Sequence, residues 1–431
     1  MAQDRRNIQE RTIDEMESAV RKVAREAREA ARVLALATTE RKNAALKAIA
    51  AALNRNKTKI LDANAADVAD AEKAGQSAAV IDRLTLDEKR LTDMIASVEA
   101  VIALPDPVGE VIRTIERPNG LRIRKVRVPL GVVGIIYESR PNVTSECGSL
   151  CVKSGNAVLL RGGSESFRSN EAIREALQEG LRAAGLPQAC ISTIPIKERS
   201  GVDVMLRLEG EIDVIIPRGG ESLIRKIAAE SRIAVIKHAK GVCHVFVDEA
   251  ADFDMAEAIA LNAKCQRPAT CNAMETLLVH EKAAQAFLPR VIRRLREAKV
   301  EVRGCERTRA VVADVKPATE EDWYAEYLDL ILAIRVVPNV DAAMEHIRTY
   351  GSAHSDAIVT EDKAHAERFL RGVDSAAVYV NASTRFTDGF QFGLGAEMGI
   401  STDRLHARGP MGLEELTTYK YVVYGSGQLR P

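Results

Sequence analysis

Val132-Val133-Gly134-Ile135-Ile136-Tyr137 is an unbroken apolar run of strand length, rich in β-branched residues, set between Gly131 and the polar Glu138. A run of this kind reads as a strand buried on both faces, as strands of a parallel sheet are. Further runs follow near 157–160, 190–194, 212–216 and 233–236, with helix-patterned sequence between them. Strands and helices alternating in this way predict a parallel, doubly wound sheet over 129–237. Ligands of such sheets bind beyond the carboxyl ends of the strands, which selects the loops opening at Glu138, Arg161, Pro195 and Pro217.

Two of these loops, Arg161-Gly162-Gly163-Ser164-Glu165-Ser166 and Arg218-Gly219-Gly220-Glu221-Ser222, run into helices. The N–H groups at a helix start, together with its dipole, favour an anion such as phosphate. Glycine and serine at a helix start also serve as ordinary capping residues. Two such loops at one sheet edge favour a nucleotide, although the Gly-x-Gly-x-x-Gly fingerprint is absent.

After Gly241 a second alternating region begins, with strands expected near 243–247, 274–279, 328–337, 355–360 and 376–381. It contains the loop Arg267-Pro268-Ala269-Thr270-Cys271-Asn272. Pro268 cannot continue the helical pattern of 252–266, so Cys271 falls on irregular backbone. There a thiol can meet a ligand, and Arg267 favours its thiolate. The competing reading is a buried cysteine acting as a small hydrophobe.

Upstream of the first sheet the chain reads as helices. Ile13, Met16, Val20, Val23, Ala27, Ala30 and Leu34 recur at helical spacing, as do Leu46, Ile49 and Leu53. A third helix is expected to start at Thr85, with Glu88 completing a capping box, and to stop before Pro105. Residues 110–116 and 121–128 flank Arg117-Pro118-Asn119-Gly120 and predict a hairpin. An isolated hairpin is marginal in water, so it should lie against another part of the chain or a second subunit. The strand-like tail near 419–425 is a candidate partner.

The 431 residues suffice for two or three domains, and 61 basic residues balance 61 acidic ones. That balance argues against nucleic acid or an anionic membrane and for a small-molecule substrate. With a polar amino terminus and no long apolar run, the expected location is cytoplasmic. Seven scattered cysteines with no Cys-x-x-Cys pair suggest neither disulfides nor a metal site.

Four stretches, in order, resemble the aldehyde dehydrogenase superfamily: 128–134 running into Tyr137-Glu138-Ser139-Arg140-Pro141-Asn142-Val143-Thr144, the 266–275 loop, Gly351-Ser352-Ala353-His354-Ser355-Asp356, and Leu405-His406-Ala407-Arg408-Gly409-Pro410-Met411-Gly412. The resemblance covers nearly the whole chain. It implies an α/β fold of two doubly wound domains plus a β-hairpin oligomerisation arm. Residues 1–106 and 129–241 would form the cofactor-binding domain, 242–410 the catalytic domain, and 107–128 with 411–431 the arm. The implied reaction is NADPH-dependent reduction of L-glutamyl 5-phosphate to L-glutamate 5-semialdehyde with release of phosphate, the second step of proline biosynthesis. Implied partners are a second copy of the chain, giving at least a dimer, and the glutamate kinase that makes the substrate.

Carried over by this resemblance, Cys271 is the nucleophile and Asn142 the side-chain donor to the developing oxyanion. Losing one such donor typically costs about a hundred- to a thousandfold in rate. For NADPH/NADP the candidates are Arg161 and Ser164 at the ribose 2′-phosphate, Gly219 and Gly220 at the close backbone approach, and Glu326 at the nicotinamide ribose. Substrate candidates are Arg140, Arg267 and His238 for the phosphate, and His354, Ser355 and Arg408 for the amino-acid end. Hydrolytic aldehyde dehydrogenases carry a water-activating glutamate where this chain has Lys237-His238-Ala239-Lys240-Gly241. Without that base a thioester should hydrolyse poorly, which favours phosphate as the leaving group. The alternatives are a hydrolytic NAD(P)-dependent aldehyde dehydrogenase and a non-catalytic oligomeric scaffold of the same fold.

Overall fold

The computed structural model describes residues 2–238 and 240–430, with side chains from residue 14 onward apart from Ala79. The expectations for the Ile13 side chain and for Ala239 lie outside the described residues. The chain opens with the helix Ala2–Leu34, which buries Val20, Ala27, Ala30 and Leu34 on one face. The helix Thr39–Arg55 buries Leu46, Ile49 and Leu53. Two helices were not anticipated, Lys57–Lys73 and Ala78–Leu84. They change the cap of the next one. The helix Glu88–Ala103 starts from Asp87, whose carboxylate accepts the Arg90 N–H at 2.7 Å. Thr85 instead donates its hydroxyl to the Ile81 carbonyl at 2.7 Å, closing the preceding helix, so it forms no capping box with Glu88.

The hairpin is present as β1 (Val111–Glu116) and β2 (Arg122–Pro129), with Gly120 at φ +85° in its turn. The tail strand Thr417–Tyr424 pairs antiparallel with β2 over its whole length, giving a three-stranded sheet within one chain. The first parallel sheet contains β3 (Val132–Tyr137), β4 (Ala157–Arg161), β5 (Ile191–Thr193), β6 (Val214–Arg218) and β7 (Ala234–Val235) in the order β5-β4-β3-β6-β7. The order in which strands are added across the sheet reverses between β3 and β6, and the loops after those strands flank the switch point where ligands of such sheets bind.

The second sheet is also parallel: β8 (Cys243–Val247), β9 (Met274–His280), β10 (Glu301–Gly304), β11 (Lys316–Pro317), β12 (Ile331–Val337), β13 (Ser355–Val359) and β14 (Ala377–Val380), in the order β11-β10-β12-β9-β8-β13-β14. β12 begins at Ile331 rather than 328, because Leu328 takes a positive φ of 53° that a strand does not accommodate. Helices Phe253–Cys265 and Glu281–Glu297 bury their apolar stripes on one face of this sheet, and Val340–Tyr350 with Lys363–Gly372 on the other. By internal contacts the chain divides into two units, Met1–Lys237 with Gly393–Gly399 and Met411–Pro431, and His238–Phe392 with Ile400–Pro410. Among the described residues no helix is long and apolar enough to cross a membrane.

Candidate active site

In the second unit the order β9-β8-β13 makes three strands neighbours, and just before their amino ends stand Cys271, His238 and His354. Residues 33 and 83 positions from Cys271 in sequence thereby converge on it. One donor atom from each side chain lies within 4.8 Å of the other two. The two imidazoles meet edge to face at 5.5 Å between ring centres. The helix ends at Cys265 with Gln266 as its cap, ahead of Pro268 as expected, and the following turn carries a half-buried Cys271. Gly241 packs directly on that turn: a Cβ there would come within 2.5 Å of the Cys271 Cα. Its N–H donates to Glu326 Oε1 at 2.8 Å, so Glu326 holds the backbone that supports the thiol.

Hydrogen bonds set the imidazoles. His238 Nδ1 lies 2.8 Å from the Ile400 carbonyl and must donate to it, which leaves the lone pair of the neutral ring on Nε2. His354 is fully buried, and burial together with His238 holds its pKa down to about 3. Its Nδ1 meets Ser355 Oγ at 2.8 Å, Ser355 meets Thr387 Oγ1 at 2.6 Å, and Thr387 meets Tyr379 OH at 2.6 Å. Ser355 is therefore used inside the protein, behind His354. A second thiol, Cys243, lies 3.8 Å from His354 Nδ1 and 3.2 Å from the Cys271 carbonyl. Burial pushes its pKa well above the ordinary thiol value, so it stays protonated while the more open Cys271 is the one placed to react.

Sequence reading missed Arg385. Its guanidinium donates to Asn272 Oδ1 and, through Nε, to Gln266 Oε1 at 2.9 Å, so it clasps the cysteine loop at both ends. Burial lowers its pKa, and the charge of Arg267 lowers it further, while Cys271 acts in the opposite sense. Two guanidiniums thus stand about the cysteine loop. The signal was the position of Arg385 just after β14 in Asn381-Ala382-Ser383-Thr384-Arg385, but only the fold shows that this segment turns back to Asn272. Arg408, by contrast, is bound to Asp374 at 2.6 Å and to the Asp374 carbonyl.

The first unit presents the other candidates at the carboxyl edge of its sheet. Asn142 opens the helix Asn142–Lys153, and its amide donates to Glu146 Oε1 at 2.7 Å. Arg140 is exposed in the loop after β3, next to Ser139 at φ +37°. Gly219 and Gly220 lead into the helix Glu221–Glu230, and the Gly220 N–H is taken by the Glu138 carboxylate at 3.0 Å. An anionic group at this helix start shows that the loop suits negative charge. Ser164 is exposed at the start of a short helical turn. Arg161 donates to the carbonyls of Gly162, Lys197 and Glu198 at 2.7–3.2 Å, stapling one loop of the edge to the next.

A family profile described as "Aldehyde dehydrogenase family" matches residues 6–313 of the chain. The gamma-glutamyl phosphate reductase of Carboxydothermus hydrogenoformans is 58% identical over 408 residues, 95% of this chain and 98% of that protein. The protein of the same name from Thermodesulfovibrio yellowstonii is 55% identical over 96% of this chain and all of its own length. The crystal structure of gamma-glutamyl phosphate reductase from Thermotoga maritima matches with a TM-score of 0.94 at 53% identity, covering 96% of this chain and all of that one.

Proposed function

The chain belongs to the aldehyde dehydrogenase family, and on that premise we propose that it reduces L-glutamyl 5-phosphate to L-glutamate 5-semialdehyde in proline biosynthesis, with release of phosphate. The observation that carries the chemistry is a half-buried thiol between two imidazoles, with no carboxylate in 237–241 to activate water against a thioester.

His238 Nε2 accepts the Cys271 proton, and the thiolate attacks the acyl carbon. The carbon–oxygen bond to phosphate breaks, leaving a thioester on Cys271. Arg267 and Arg385 stabilise the departing charge. Asn142 is read as the side-chain donor to the oxyanion. A nicotinamide cofactor, when bound, would supply the hydride by which the Cys271 thioester becomes a thiohemiacetal. A proton returned from His238 and cleavage of the carbon–sulfur bond then release the aldehyde and regenerate Cys271. The glycine loop at Gly219 and Gly220 suits the cofactor's pyrophosphate once Glu138 yields the Gly220 N–H. Arg161 and Ser164 supply charge and a hydroxyl for a 2′-phosphate, which favours NADPH over NADH. Glu326 takes the nicotinamide ribose. The enzyme acts in the cytoplasm, as an oligomer joined through its three-stranded arm, beside the glutamate kinase that makes its substrate.

The test is the reverse reaction: NADPH formation from glutamate semialdehyde, with and without phosphate, for wild type and Cys271→Ala. Turnover that requires phosphate and vanishes in the variant is the expected result. Turnover without phosphate would make the enzyme a hydrolytic dehydrogenase and overturn the reading of the 237–241 stretch.

A further inference from the structure

We propose that Cys271, His238 and His354 also form a binding site for a thiophilic divalent cation of the Zn²⁺ type, whose occupation withdraws the nucleophile from the reaction. The three donor atoms lie within 4.8 Å of one another. A tetrahedral zinc with bonds of about 2.0–2.3 Å to nitrogen and sulfur holds its ligand atoms roughly 3.5 Å apart. Modest side-chain rotation closes that difference. The ligands stand in the segments just before three adjacent strands, so the sheet topology brings together residues that are far apart in sequence.

A second observation points to a ligand independently. His354 is fully buried, and its Nε2 has no hydrogen-bond partner among the described residues. A buried imidazole nitrogen left unpaired is costly, and a metal ion satisfies it. The outer contacts are of the kind that orient metal-binding histidines: His238 Nδ1 on the Ile400 carbonyl, His354 Nδ1 on Ser355 Oγ. The hydroxyls of Ser355, Thr387 and Tyr379 can each reverse as donor and acceptor, so His354 can move its proton to Nδ1 and offer Nε2 as a ligand. Binding replaces the thiol proton of Cys271 by the metal and releases that proton to solvent, with no change of oxidation state. A thiolate held by zinc no longer attacks an acyl carbon.

That inhibition follows rests on the reading of Cys271 as the nucleophile, whereas binding does not. Metal-free full-length protein is titrated with Co²⁺ as an optical probe, and Zn²⁺ is then added as competitor. The expected result is one Co²⁺ per chain with a thiolate-to-cobalt charge-transfer band, displaced by Zn²⁺, absent in Cys271→Ser, and weakened at least about tenfold in affinity in His354→Gln and in His238→Gln. Alkylation of wild-type Cys271 by iodoacetamide, read by peptide mass spectrometry, should be blocked by Zn²⁺ and restored by EDTA, which needs no variant to fold. Absence of the band in wild type, an unchanged affinity in either histidine variant, or alkylation indifferent to Zn²⁺ overturns the site. A metal bound through Cys271 with undiminished turnover keeps the binding site but overturns both the inhibition and the nucleophile assignment.

Discussion

Gly241 has an ordinary backbone conformation, so what demands glycine there is space: a Cβ would stand 1.8 Å from the Cys271 carbonyl oxygen. Gly241→Ala must push the cysteine turn away from His238 and His354. A displacement of about 1 Å at a reacting atom can cost on the order of a hundredfold. We expect kcat to fall by that order while the cofactor's Kd, measured by fluorescence titration, stays within about twofold; equal losses in both would point to general unfolding instead. The irregular loop that carries Cys271 was legible in the sequence because Pro268 announces it and the surrounding stretch resembles a known family. Gly241 and Arg385 carried no local sign of their roles, because their partners lie 30 and 113 positions away. His354 and Ser355 were expected at the amino-acid end of the substrate, yet both are fully buried, with Ser355 behind His354.

The strands of both parallel sheets were legible from apolar runs, since burial on both faces leaves little room for polar residues. Strands β10 and β11 were missed because they stand at a sheet edge and carry charge, as in Glu301-Val302-Arg303-Gly304. The cysteine cluster lies at the amino edge of its sheet, where the carboxyl-edge rule that located the glycine loops gives no guidance. Beneath the same loop, the last turn of Phe253–Cys265 and the start of β9 are tied by Lys264 and Glu275, both fully buried, at 2.6 Å. Burial raises the Glu275 pKa to about 7, against the opposing pull of Lys264. A carboxylate whose folded pKa is raised binds protons more readily in the folded state, so its contribution to stability declines as pH rises from about 4.5 towards 7. Lys264→Met leaves that carboxylate without its cation. We expect a loss of about 3–5 kcal/mol at pH 8, shrinking at pH 5 where Glu275 is protonated. Urea unfolding at the two pH values decides it, and a loss independent of pH would show that packing rather than charge is at stake.

Stability of the molecule as a whole should fall on the acid side. Burial is the main cause holding His346 and His354 neutral, with pKa values down to about 2 and about 3. In the unfolded chain both titrate near 6.5, so below that pH the unfolded state binds protons that the folded state refuses. The urea midpoint should therefore drop between pH 6.5 and 3, and His346→Gln should flatten the dependence relative to wild type. The arm supplies the larger consequence. Its three strands expose Val111, Ile112, Tyr419, Tyr421, Val423 and Tyr424, each more than two-fifths accessible. Tyr419, Tyr421 and Val423 alternate along the tail strand and so share one face of the sheet. The register with β2 sets Tyr421 beside Lys125 and Val423 beside Ile123 on that face, and exposed aromatic and aliphatic side chains on a thin antiparallel sheet are poorly placed in water and well placed against a second copy of the chain. Burying large apolar side chains contributes about 1.5–3 kcal/mol each, enough for a few of them to hold two chains together. Tyr421→Asp with Val423→Asp puts like charges at the centre of that face without touching the backbone bonds between the tail and β2. Light scattering should then report a monomer with unchanged far-ultraviolet circular dichroism, and deletion of residues 110–127, which removes β1 and most of β2, should likewise leave a monomer. If the double variant keeps the wild-type mass, the oligomer is held elsewhere than on this face of the arm.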